Sequence, residues 1–106
     1  MTLEELQESM KEEIQNPNFK YTPGNILIKL GEKYGNLCKF GFKRRNPGIA
    51  KDDKEEGDQK VQIEIGKMAG LLAAFCETNK FSLEKCREMA AKAVTEKRAA
   101  KADQVS

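Results

Sequence analysis

Two short stretches carry residues whose types and spacing could do chemistry. Glu32, Lys33 and Asn36 stand within four positions in KLGEKYGNL, Lys29 to Leu37. Glu64 and Lys67 stand three apart in IEIGKMAGLL, Ile63 to Leu72. At helical period each set shares one face of its helix. Carboxylates beside an apolar seam can hold a hard cation, whereas ammonium groups in the same place can hold phosphate. The same pairs also serve as solvated surface charges, worth ~0.2–0.5 kcal/mol each at this spacing. Three readings therefore stand side by side: a metal site, the remains of one, or ordinary surface charge.

The elements that must position these residues are readable from periodicity. A first helix is expected over 3–15, with Thr2 and Glu5 at capping-box spacing and Leu3, Leu6, Met10 and Ile14 at helical period. Asn16-Pro17-Asn18 ends it. A second helix is expected over 23–45, with Thr22 as N-cap and Pro23 at the first helical position, where its missing N–H costs nothing. Its apolar stripe holds Ile26, Leu27, Leu30, Tyr34, Leu37 and Cys38, and Asn46-Pro47-Gly48 stops it. Residues 46–58 are polar, mixed in charge and nearly free of apolar side chains, and read as a mobile loop. A third helix follows over 59–78, with Val61, Ile65, Met68, Leu72 and Phe75 inward. Ser82 caps a fourth over 83–102, with Leu83, Cys86, Ala90, Ala93 and Val94 inward, and 103–106 is a tail. No segment alternates with period two, so the fold class is all-α, a four-helix bundle in one domain.

Gly31 and Gly35, and likewise Gly66 and Gly70, stand four apart within helices. Each costs about 1 kcal/mol of helix propensity relative to Ala. Small residues at this spacing predict close packing of the second helix on the third.

Composition narrows the function classes. The net charge of +2 in 106 residues argues against a partner of long nucleic acid. There is no histidine, which excludes histidine zinc ligation and histidine acid–base catalysis. Cys38, Cys76 and Cys86 form no CxxC motif. Three thiols and an acidic, helical N-terminus in place of a targeting peptide suggest a reduced, cytoplasmic protein. No apolar run approaches the ~20 residues that span a bilayer, so no membrane partner is expected.

Taken together, LGEKYGNL, FGFKRRNPG, the polar stretch and IEIGKMAGLLAAF resemble the MazG-like nucleotide pyrophosphohydrolases, especially the short single-domain forms common in phages. The resemblance covers about Thr22 to Arg98 and rests on helix order, Leu/Gly texture and motif spacing. It implies an all-α fold, a dimer or tetramer, and carboxylates that bind Mg²⁺ to cleave nucleoside triphosphates into a monophosphate and pyrophosphate. The family's Glu-Glu-x-x-Glu motif falls on Glu32, Lys33 and Asn36, and its Glu-x-x-Asp motif on Glu64 and Lys67. The expected acids are thus replaced by two carboxylates, two ammonium groups and an amide, with no net charge.

That substitution removes the chemistry of a Mg²⁺ site. Mg²⁺ needs oxygen ligands, and a protonated ammonium has no lone pair to offer. At an effective dielectric of ~20, a unit positive charge about 4 Å from a divalent ion costs on the order of 8 kcal/mol. No cofactor is expected, and catalysis by the family's route is doubtful. Lys33 and Lys67 could instead contact phosphate directly, with Glu32 and Glu64 orienting them and Lys29 and Asn36 in the same set. The expected function is a catalytically inactive protein that sequesters a nucleotide, linear or cyclic. In a phage setting this would be a sponge for a host defence signal. A protein-interaction or structural pseudo-enzyme, and a surviving pyrophosphohydrolase, stay open as alternatives.

Further along, Lys39 to Gly48 places Phe40 and Phe42 near Arg44 and Arg45. Phe42 could stack on a base, with Arg44 or Arg45 on phosphate. These cations also suit a helix C-terminus without any ligand, and the phenylalanines could be core.

Overall fold

The computed structural model describes residues 1–16, 22–44, 48 and 51–105, all helical apart from short caps and turns, with no strand among them. Four helices follow in order: α1 (Leu3–Gln15), α2 (Pro23–Arg44), α3 (Lys51–Thr78) and α4 (Leu83–Val105). Their starts follow local chemistry. The Thr2 hydroxyl accepts from the Glu5 N–H at 3.1 Å, Thr22 from Asn25 at 3.2 Å, and Ser82 from Lys85 at 3.3 Å.

α3 is the hub. It packs along α2, takes α1 on its C-terminal half, and meets the start of α4. Two long helices joined by a short connection and packed along their length must run antiparallel. The Lys60 ammonium lies 5.3 Å from the centre of the Phe40 ring, which sets the α2–α3 register. The buried apolar residues are Ile26 of α2 and Ala73, Ala74 and Cys76 of α3. Met10 reaches Gly70, where a Cβ would sit 3.9 Å from its sulfur.

Gln7 ties α1 to the turn between α3 and α4. Its amide donates to Glu77 Oε2 at 3.0 Å and to the Phe81 carbonyl at 2.7 Å, and it accepts from the Leu83 N–H at 2.8 Å. α3 itself ends in a Schellman closure. The Phe81 N–H donates to the Cys76 carbonyl at 2.8 Å, and that of Lys80 to Glu77 at 3.2 Å. Lys80 takes the left-handed position at φ 58°, where glycine is usual.

Several expectations change. The stretch expected as loop 46–58 is helical from Lys51, so α3 starts eight residues earlier than predicted. Its polarity is that of an exposed helix, carried by pairs such as Lys60–Glu56 at 2.9 Å, and not that of a loop. α2 ends at Arg44, and Arg45 lies outside the described residues; α4 runs on to Val105, past the predicted 102.

The four helices do not close into a bundle in which each covers the others. Leu83 is half-buried, but Cys86, Ala90, Ala93 and Val94, expected inward, are exposed. α4 contacts α1 and α3 only sparsely. The glycines do not draw α2 onto α3 either. A Cβ at Gly31, Gly35 or Gly66 would meet nothing within 4 Å, and Gly70 faces α1.

The molecule is correspondingly open. Its radius of gyration is 17.8 Å, where a compact domain of this length has about 13 Å. Its accessible surface is 8288 Å², against roughly 6,000 Å² for a compact monomer of this size.

Candidate functional site

The α2–α3 register brings the two sequence motifs together. One turn along from the Phe40–Lys60 contact, Asn36 comes level with Glu64. About two turns along, Lys33 comes level with Lys67. Asn36, Lys33 and Lys29 are half-buried, and Glu32 is exposed on the outer flank.

Glu64 is the centre of this set. Its side chain is 9 % exposed. It sits on the face of α3 that also carries the half-buried Val61 and Met68. Lys67 Nζ approaches Oε1 at 3.7 Å, while Lys67 itself is 51 % exposed. An i,i+3 pair with one exposed partner contributes only ~0.2–0.5 kcal/mol. The other oxygen, Oε2, is buried without a hydrogen-bond partner. A carboxylate withdrawn from water in this way needs donors to offset its desolvation.

A divalent cation does not fit this donor set. Glu64 has the Lys67 ammonium 3.7 Å from one oxygen, and Glu32, the other carboxylate of the set, is exposed. Among the described residues no group of three or more Asp, Glu or Cys side chains could hold a metal ion. An anion close to Lys33 and Lys67, presenting a hydroxyl or amine towards Glu64, would answer both the positive charge and the orphaned oxygen.

The aromatic part of the sequence reading does not converge on the same place. Phe42 is 73 % exposed and stands nine residues beyond Lys33, about 14 Å along the helix. Arg44 closes α2 further still from the set. Phe40 instead lies against Lys60, a contact that only the inter-helix register could reveal.

The opposite side of the α2–α3 hairpin is apolar. Leu27, Gly31, Tyr34, Gly35 and Phe42 recur at helical spacing along one exposed strip of α2. Leu27 is 53 %, Tyr34 59 % and Phe42 73 % exposed. Ile65 and Leu72 of α3, 52 % and 45 % exposed, fall on the same side. That follows from two right-handed helices packed antiparallel. The neighbouring Cys38 thiol, one turn on, holds the Tyr34 phenol above its ordinary value.

Two cavities lie elsewhere, at the α3–α4 corner. One, of about 480 Å³, is lined by α1 and the turn, including Glu4, Gln7, Glu77 and Lys80. The other, of about 300 Å³, opens beside Cys86. Neither was signalled by the sequence, because the first depends on where Gln7 docks and the second on how α4 leaves the turn. No helix of the described residues is long and apolar enough to cross a membrane.

No known protein family, curated protein or solved structure matches the chain.

Proposed function

We propose that this chain is a MazG-like protein that binds and retains a nucleotide, linear or cyclic, without hydrolysing it. The observation that carries the reading is Glu64. It is a buried carboxylate with one unpartnered oxygen and Lys67 3.7 Å from the other, and the register brings Lys33 level with Lys67. The two ammonium groups would meet phosphate as point charges. Glu64 Oε2 would accept from a ribose hydroxyl or a base amine. The set holds no histidine, and fewer acids than the resembled family uses to activate water through Mg²⁺. Retention without turnover suits a sponge that removes a signalling nucleotide from a phage-infected cell.

The protein would work as a homo-oligomer, a dimer or tetramer. The exposed apolar strip and the surplus of roughly 2,000 Å² over a compact monomer support this, since stable obligate interfaces bury surface on that scale. The same strip favours a second reading, a protein-interaction module whose former ligand site is idle.

A release experiment separates these readings. The protein is mixed with linear and cyclic nucleotides, with and without Mg²⁺, freed of unbound ligand, denatured and its contents chromatographed. An intact nucleotide recovered without Mg²⁺ is the expected result. A monophosphate formed only with Mg²⁺ would restore the hydrolase reading, and an empty protein would favour the interaction module. Lys67→Glu should weaken retention by roughly tenfold or more, as it replaces attraction for phosphate by repulsion. Unchanged affinity in both Lys67→Glu and Lys33→Glu would overturn the assignment.

A further inference from the structure

Past its first turn, α4 is exposed throughout. Every residue from Lys85 to Asp103 faces solvent, Met89 at 71 % and Val94 at 49 %. At 23 residues the helix is about 34 Å long. A protein helix draws most of its stability from packing one face, and from Lys85 to Asp103 α4 has no face covered. Its residues are nonetheless sorted. Ala90, Ala93 and Val94 lie on one side, and Lys97 and Lys101 continue that side. From Lys92 to Lys101 four bases stand against one acid, Glu96.

The apolar strip of the α2–α3 hairpin runs into the opposite charge. Asp58, Ile65 and Leu72 are seven apart on α3 and share a face. The register places Phe42 of α2 level with Asp58. From Asp53 to Asp58 four acids stand against one base, Lys54. Strip and helix therefore carry the same order of groups, apolar and then charged, with opposite sign. Their spacing matches too. Ile65 and Asp58 are seven residues apart, as are Val94 and Lys101, about 10 Å of helix in each case. With α4 antiparallel to α3, Val94 meets Ile65 where Lys101 meets Asp58.

We infer, on the reading that copies of this chain associate through the strip, that the occupant of the strip is α4 of a second copy. Each α4 lies antiparallel to α3 of the other copy, so that one two-fold axis covers both strips and both helices. The alanine side of α4 lies over Tyr34, Ile65 and Leu72, and its small side chains admit a close approach to Gly31, where a Cβ meets nothing within 4 Å in one chain. Lys97 and Lys101 then stand over the acidic start of α3. The surplus of roughly 2,000 Å² over a compact monomer is the scale of surface that a stable interface buries. Two strips laid directly on each other would leave α4 bare and the opposite charges apart.

The test is sedimentation of the full chain at several concentrations and salt strengths. The parent should associate, and less tightly as salt rises, since exposed charges are screened. Lys97→Glu with Lys101→Glu in one chain should weaken association by roughly tenfold or more, because attraction becomes repulsion. Glu55→Lys with Asp58→Lys in another should do the same, with helix content by circular dichroism unchanged in both. An equimolar mixture of these two chains should associate as tightly as the parent, because each altered α4 then meets an altered α3. A mixture no tighter than its components would overturn the exchange. Full association in both charge-reversed chains, with loss in Tyr34→Asp, would overturn α4 as the occupant and leave the strip as a contact between copies. A parent that stays monomeric at every concentration would overturn both readings.

Discussion

The C-terminal end of α3 and its middle are finished differently. At its C-terminal end, Ala73, Ala74 and Cys76 are buried, α1 lies across Gly70, and one glutamine satisfies three groups of the turn. In its middle, a buried carboxylate keeps an unpartnered oxygen, and Ile65 and Leu72 face solvent beside an apolar strip of α2. The first region completes itself within one chain. The second presents needs that a single chain does not meet: donors for Glu64, and cover for the strip. Structural demands left open side by side in one hairpin are what a ligand and a second copy would answer.

The contrast can be broken at several points, with effects of decreasing size. Tyr34→Asp places a charge in the centre of the apolar strip. It should weaken self-association by roughly 100-fold or more, as loss of a central aromatic contact does. Sedimentation at several concentrations would read this, and an unchanged oligomer would remove the strip from the interface. Gln7→Ala should destabilise the chain by about 2 kcal/mol, since three hydrogen bonds are lost and their partners are left bare. Urea unfolding measures that, and a loss below ~0.5 kcal/mol would mean the clamp is ornamental.

Smaller changes sharpen the comparison. Gly66→Ala meets open space and should raise stability by about 0.5–1 kcal/mol. Gly31→Ala also meets open space within one chain, but it lies in the strip. If a partner helix packs there, its gain should be offset by weaker association, so the pair of variants tests cover directly.

The smallest effect is on pH dependence. Burial foremost, then neighbouring Cys86, raises the Cys76 thiol above its ordinary value. The folded state therefore keeps this proton after the unfolded chain has released it. Stability should be level below the unfolded thiol value of about 8.5 and fall as pH rises from there towards the raised folded value. Cys76→Ala should flatten that alkaline slope in a pH series of melting curves.

Much of the scaffold was legible in the residues themselves. Thr2, Thr22 and Ser82 were readable as caps because capping is a local bargain between a hydroxyl and an N–H three positions on. The inward position of Ile26, Leu30 and Leu37 followed from helical period. The start of α3 was not legible, because Lys51 to Lys60 is polar on every side and polarity alone does not distinguish a solvated helix from a loop. The direction of the glycines was also hidden. Their spacing announces a close approach but not which helix approaches, and none of Gly31, Gly35 and Gly66 is met within the chain.

By itself the sequence determined the helices, their caps and the Glu–Lys spacing within α2 and α3, because these depend on neighbours within a turn or two. Only the tertiary structure decided which residues meet. Packing set Phe40 against Lys60, and with it brought Asn36 level with Glu64 and Lys33 level with Lys67. It also turned one edge of the hairpin outward as an uncovered apolar strip. Those outcomes rest on inter-helix register, which no local pattern encodes.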